Sequence, residues 1–268
     1  MRPSLVRALV PALAAILAAG ALSLDAPARG GAELPTKRKG VLTVALALGT
    51  PGFAEGTAAK PRGFSVDVAT AVAKRMGLGV TFLDYPFQEL FVPGPKPYDV
   101  AFEYVTILPG RKRFVDFSTP QIASTQGVLV ARDVTGPVTL ARLRTLQICV
   151  KPFTTGDAYV RRVLQPQGLV LEYPTADQAL RALSSSTCDA FVFDLPVLVV
   201  ARQHSPTRYG EIAGRVGQTE YYGAVLPKGS ALLAPVNKAI RALRGNGTMR
   251  KIELRHFGVN FFSTPLIR

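Results

Sequence analysis

Short apolar runs alternate along this chain with segments of helical period, and that alternation most constrains what it can fold into. Val41-Leu42-Thr43-Val44-Ala45-Leu46 follows Gly40 as a first strand. Phe64, Val68, Val72 and Met76 then repeat at four-residue spacing, as on the buried face of a helix, and Gly77 is placed to cap its end. Val80-Thr81-Phe82-Leu83 is a second strand. A strand–helix–strand succession of this kind builds a parallel sheet with its crossover helix packed on one face. Between the first strand and the helix, residues 49–63 hold four glycines and two prolines, a turning surface loop. Pro93, Pro95 and Pro97 exclude a regular helix just before the third strand at Tyr98.

A second series repeats the pattern after Gly127-Val128-Leu129-Val130-Ala131. Thr145–Val150 reads as a strand, Gly156–Leu164 as a helix and Leu169–Tyr173 as a strand. Thr175 with Gln178 three residues on forms a capping-box pattern, opening a helix that ends in Ser184-Ser185-Ser186. Ala190-Phe191-Val192-Phe193 is a strand ending at Asp194, with a helix starting near Pro196. Tyr222–Leu226 is a last strand, followed by a helix with Leu233, Val236, Ile240 and Leu243 on one face and Gly245 past its end. Two successive β-α-β units, each too small for a large domain, predict two lobes with a cleft between them.

The cleft has a chemical signature. Tyr98-Asp99-Val100-Ala101 reads as a buried strand, and Thr106-Ile107-Leu108-Pro109-Gly110-Arg111 sets an arginine a few residues beyond it. In open α/β sheets ligands sit beyond the carboxyl ends of the strands. A guanidinium there grips a small carboxylate with a planar fork. The ligand expected is small and anionic or zwitterionic.

Arg2 and Arg7 precede an apolar run from Ala8 to Leu24, and Ala26-Pro27-Ala28 offers the small residues of a cleavage site. Residues 1–28 therefore read as a signal peptide, and the protein as periplasmic or otherwise extracytoplasmic. The alternative, a retained anchor, fits less well because the run is shorter than a comfortable span of about 20 residues. The formal charge of +14 raises the question of nucleic acid. Its arginines and lysines are scattered without interleaved aromatics, so no nucleic-acid partner is expected, only a field that attracts anions.

From about Val41 to Phe257 the chain resembles the periplasmic solute-binding proteins of the polar amino-acid type, family 3, which feed ABC importers. The resemblance rests on Gly63–Val68, Tyr98–Ala101, Thr106–Arg111, Val115–Pro120, Thr154–Asp157 and Asp189–Asp194, in that order. It implies an α/β, two-lobed periplasmic binding protein-like fold (type II). Lobe 1 is discontinuous, residues 41–130 plus 223–262, and lobe 2 is residues 133–221. The hinge falls near Leu129–Ala131 and Tyr222–Val225. Carried over by motif, Arg111 is similar to the clamp on the ligand α-carboxylate, with Thr106 and Thr155 as donors beside it. Asp194 is similar to the carboxylate that holds the α-ammonium. Phe53 and Phe87 resemble the pocket aromatics, although an aromatic at a strand end equally suits the core. Asp194 and Thr155 also suit helix caps.

Departures from the family pattern bear on the ligand. Glu103 and Tyr104 stand where small residues usually line the pocket. Glu103 facing the cleft would favour a cationic side chain, whereas Tyr104 filling it would admit only a small ligand. Phe153 replaces a glycine ahead of Thr154-Thr155, which argues against a positive φ at that position. The resemblance also implies an ABC permease partner and a monomer.

The enzymatic alternative is a dehydratase-like activity on the same fold, with Asp194 or Glu103 as general acid on a carboxylate substrate. A ligand-sensing subunit for a membrane partner is a third reading. No nucleophile, metal or phosphate-loop motif accompanies His204 and His256, so no catalytic residue, metal or cofactor is expected. Export permits a Cys149–Cys188 bridge. Their expected places on neighbouring parallel strands favour two reduced, buried thiols instead.

Overall fold

Pairing between strands, more than helix packing, organises the molecule. A computed structural model describes residues 33–258 and 261–268. The leader expected at 1–28 lies outside the described residues. The strand β1 (Val41–Leu46) is followed by a small hairpin, β2 (Glu55–Thr57) and β3 (Lys60–Arg62), and by helix α1 (Phe64–Met76). Phe64, Val68 and Val72 are buried on the inner face of α1, and Gly77 closes it at φ 74, a left-handed cap that glycine takes without strain. Next come β4 (Gly79–Asp84), a single 3-10 turn at Phe87–Phe91, β5 (Val100–Thr106), β6 (Val115–Phe117) and β7 (Ile122–Val130). The second series runs α2 (Leu140–Leu143), β8 (Ile148–Val150), α3 (Thr155–Tyr159), β9 (Val170–Glu172), α4 (Ala176–Ser184), β10 (Ala190–Asp194) and α5 (Leu195–His204). The strand β11 (Ile212–Pro227) and helices α6 (Leu233–Gly245) and α7 (Thr248–Phe257) complete the order.

The large sheet runs β4-β1-β5-β11-β7-β10-β8-β9, with β6 beside β11. Strands β4, β1 and β5 are mutually parallel, as are β10, β8 and β9. Between these two groups β11 and β7 pair antiparallel to each other and to their outer neighbours. Each parallel group is one of the β-α-β series read from the sequence, and β7 and β11 are the chain's two passages between them. Apolar side chains from both groups, among them Leu42, Val68, Phe102, Leu129, Phe191 and Leu198, are fully or almost fully buried.

Several motif residues turn out to secure this frame. Asp99 takes the backbone N–H of Lys37 and of Thr43, each at 2.8 Å, and so staples the start of β5 to β1. Asp116 accepts from Lys228 Nζ at 2.9 Å and from the Gly229 N–H at 2.7 Å. Ser118 Oγ accepts from the Ala224 N–H at 2.8 Å, tying the end of β6 to β11. His256 meets Asp67 Oδ2 at 2.8 Å, so α7 is fastened to α1.

Three expectations need correction. Cys149 and Cys188 are bridged, with Cα atoms 5.9 Å apart, and are not reduced thiols. Cys149 is within β8, but Cys188 precedes β10 and lies outside the ladder that pairs Phe191 with Cys149. A residue in the lead-in turn is free of strand geometry and can lean toward its neighbour. Phe153 adopts φ 65 despite its side chain. The residue is 69% exposed, so little packing opposes that turn, and Thr154 just after it is fixed as the α3 cap. The third strand begins at Val100 rather than at Tyr98 and runs through Thr106, so Glu103 and Tyr104 lie within it, buried.

Candidate functional site

The carboxyl ends of β5 and β10, the start of α3 and the middle of β11 bring polar groups to one place. Thr106 is the last residue of β5, and the chain turns through Leu108–Gly110 into the short 3-10 turn that carries Arg111. The Arg111 guanidinium folds back, donating from Nη1 to the Thr106 carbonyl and from Nη2 to the Phe153 carbonyl, each at 3.0 Å. Its Cζ lies 5.4 Å from the Phe87 ring centre and 5.1 Å from that of Phe91. These flat faces hold a cation without consuming its donors. The left-handed backbone at Phe153 therefore belongs to the site, its carbonyl taking one Arg111 donor.

Asp194 ends β10 and is buried. Its side chain makes no cap bond to α5, although it occupies the cap position. It accepts from the Tyr222 hydroxyl at 2.5 Å and from Gln126 Nε2 at 2.8 Å. Burial, then the neighbouring Glu220, push its carboxyl up to about 7, against the pull of those two hydrogen bonds and of Lys151. At α3 the cap is Thr154, whose hydroxyl accepts from the Asp157 N–H. Thr155 is thereby left to the site, and its hydroxyl accepts from Gln126 Nε2 at 3.0 Å and donates to Glu220 at 2.9 Å. Gly156 permits the approach: a Cβ there would stand 2.7 Å from Gln126 Oε1 and 2.9 Å from the Val192 carbonyl.

Glu103 and Tyr104, consecutive in β5, point to opposite faces of the strand, and both interact with Lys151. The Tyr104 hydroxyl is 3.0 Å from Thr50 Oγ1 and 3.3 Å from Lys151 Nζ. The Lys151 ammonium also lies 4.9 Å from the Phe87 ring centre. Burial works against that ammonium, but Tyr104, Glu103 and Asp194 outweigh it and raise its pKa. Glu103 is 3% exposed, and among the described residues neither of its carboxyl oxygens has a hydrogen-bond partner. Burial raises its carboxyl to about 8, with Lys151 pulling it down and Asp84 pushing it up.

Of the residues singled out from the sequence, Arg111, Thr106, Asp194, Thr155, Glu103, Tyr104 and Phe87 therefore share this region. Phe53 stands behind it, packed in an aromatic cluster 5.0 Å from the Tyr104 ring, 5.5 Å from Phe64 and 5.1 Å from Phe257. Gln126, Glu220 and Tyr222 belong to the hydrogen-bonded group around Asp194, Lys151 reaches the region through Tyr104, and none of the four was foreseen. Gln126 and Glu220 close short polar runs, Ser124–Gln126 and Gln218–Glu220, and Lys151 follows an apolar strand, and no local spacing marks any of them as special.

The chain is similar to known proteins over most of its length. ABC transporter arginine-binding protein 1 of Escherichia coli (strain K12) is 28% identical over 202 residues, 73% of this chain and 81% of the relative. L-cystine-binding protein TcyJ of the same strain is 28% identical over 261 residues, 95% of this chain and 96% of the relative. Among solved structures, an ancestral arginine-binding protein bound to glutamine superposes with a TM-score of 0.75 at 29% identity, covering 83% of this chain and all of that one. The fold shared with it is the two-lobed α/β architecture with a cleft between the lobes. The family model for bacterial extracellular solute-binding proteins, family 3, matches residues 42–259, and the chain belongs to that family.

Proposed function

We propose that this protein captures an amino acid with a cationic side chain outside the cytoplasm and delivers it to an ABC importer by closing its two lobes. The observation that carries the reading is Glu103, a buried carboxyl with no hydrogen-bond partner among the described residues, within electrostatic reach of Lys151. A zwitterion needs one cationic and one anionic partner, which Arg111 and Asp194 supply to its carboxylate and ammonium. Thr106 and Thr155 add donors to the carboxylate, and Phe87 flanks the aliphatic stem. Glu103 then offers a carboxyl that gives up its proton to pair with a third charge, and a desolvated ammonium or guanidinium complements the resulting carboxylate strongly. The names of the relatives support this choice, since arginine-binding proteins recur among them.

In this reading residues 41–130 with 223–262 form one lobe and residues 133–221 the other, swinging about β7 and β11. Residues 1–28 direct export, the receiving partner is a permease, and the protein acts as a monomer. A second reading has one observation in its favour. Lys151 is a buried ammonium in the same region, and it would suit an acidic side chain.

Calorimetry with L-arginine, L-lysine, L-histidine, L-cystine and L-glutamate decides between them. Tight binding of arginine or lysine, weakened at least about tenfold in Glu103→Gln, supports the cationic site. Tight binding of L-glutamate, untouched by Glu103→Gln and lost in Lys151→Ala, supports the acidic one and overturns the first.

A further inference from the structure

The donors assigned above to the ligand carboxylate are already engaged. Thr106 Oγ1 donates to Glu220 Oε2 at 2.6 Å, and Thr155 Oγ1 donates to the same oxygen at 2.9 Å. The other oxygen, Oε1, lies 3.3 Å from Gln126 Nε2. One carboxylate oxygen thus joins a hydroxyl at the end of β5 to a hydroxyl at the start of α3, bridging the two parallel strand groups of the sheet.

We propose that Glu220 is a resident occupant of the carboxylate subsite, which holds the ligand-free cleft together and must be displaced by the carboxylate of an incoming amino acid. This rests on the reading of Thr106 and Thr155 as ligand donors and adds a competitor inside the chain. Three features favour it over a merely structural bond. The register of β11 against β7 breaks between Val216 and Glu220, so the ladder resumes only at Glu220, opposite Ser124, and leaves residues 217–219 beside it unpaired. Gly217, Gln218 and Thr219 are exposed and Gly217 has φ 73, which gives Glu220 an open side to swing into. Arg111 meanwhile spends Nη1 and Nη2 on backbone carbonyls rather than on Glu220. Glu220 therefore mimics the hydroxyl-bound end of a ligand carboxylate while the guanidinium stays in place.

Competition of this kind has a signature in ligand chemistry. An amino acid must expel Glu220, whereas the corresponding amine, lacking the carboxylate, binds with Glu220 still seated and gains its negative charge. Glu220→Ala should therefore tighten L-arginine by about tenfold or more, because two hydrogen bonds to a charged group no longer have to be broken. The same variant should weaken agmatine, the decarboxylated amine of arginine, or leave it unchanged. Glu220→Gln keeps the shape with weaker acceptors and should fall between. Opposite shifts for acid and amine support the proposal, and shifts in the same direction, or none for either, overturn it. Small-angle scattering of the ligand-free proteins gives a readout that needs no ligand: Glu220→Ala should be more expanded than wild type, and equal dimensions overturn the bridging role. If wild type binds no amino acid of the panel, the site reading itself fails, and the scattering comparison still judges Glu220.

Discussion

Glu103→Gln should reshape the pH dependence of stability in a way that tests the buried site without any ligand. The folded chain holds the Glu103 carboxyl at about 8, against an ordinary value of 4.5, because burial disfavours its charged form. The sign follows from linkage. A folded value raised above the unfolded one gives a contribution that is fully present below about 4.5 and is lost as pH rises through about 8. Across that window the unfolded chain ionises while the folded chain keeps its proton. The whole gap amounts to at most ~5 kcal/mol, at ~1.4 kcal/mol per pH unit. Glutamine has nearly the same shape and no proton to hold, so the variant lacks this slope. Urea unfolding of both proteins at one-unit steps from pH 5 to pH 8 gives the difference directly. Wild type should lose stability relative to Glu103→Gln by ~1.2–1.3 kcal/mol in each of the first two steps and by ~1 kcal/mol in the last, where the folded carboxyl begins to ionise. A constant packing offset from the substitution cancels, because only the slope matters. A difference that stays flat across the window would refute the picture of a protonated, unpartnered Glu103.

Much of this fold was legible because its local signals are strong and agree with its global form. The four-residue spacing from Phe64 to Met76 and the Thr175–Gln178 capping box both stand in the structure where the pattern put them. Pro196 at the start of α5 does the same for the chain beyond β10. The first ten residues of β11 were missed for a physical reason. Ile212–Tyr221 carries Gly214, Arg215, Gly217, Gln218, Thr219 and Glu220, is largely solvent-facing and pairs through two register breaks. Neither a buried-strand run nor a clean alternation survives such a stretch. Around the site, the motif residues at strand ends could be read because position and chemistry coincide there. Lys151, Gln126 and Glu220 could not, since their roles come from long-range contacts, such as Thr106 with Glu220 across 114 residues. Phe153 shows the limit of residue-type rules. A left-handed backbone that costs about 1–3 kcal/mol in a non-glycine residue is retained where an adjacent cap and a guanidinium bond to its carbonyl over-determine it.

Arg111→Ala should weaken the cognate amino acid by at least about 2 kcal/mol, ~30-fold, because a buried carboxylate loses its charged partner; equal affinities by calorimetry would refute the clamp. Replacing both cysteines by serine should cost about 3–4 kcal/mol in urea unfolding, since the bridge closes a loop of sequence separation 39. Free thiols in unreduced, unfolded wild type would show that the bridge does not form. Ligand affinity should also depend on pH through Asp194. In the ligand-free protein its carboxyl sits at about 7, raised first by burial and then by Glu220. An ammonium in the cleft needs the ionised carboxylate, so below about 7 binding must expel a proton. The affinity for L-arginine should therefore rise with pH from 5 toward 7, approaching tenfold per unit at the acidic end, and then level as Asp194 becomes ionised before binding. Glu103 extends the rise toward pH 8 if it also faces the ligand's charge, and Glu103→Gln removes that extension alone. Calorimetry in two buffers of different ionisation enthalpy counts the released protons, close to one per ligand at pH 5.5 from Asp194 in the Glu103→Gln background. Proton release that is absent there, or that persists when Asp194→Asn is added to that background, would show that Asp194 does not hold the ligand's ammonium.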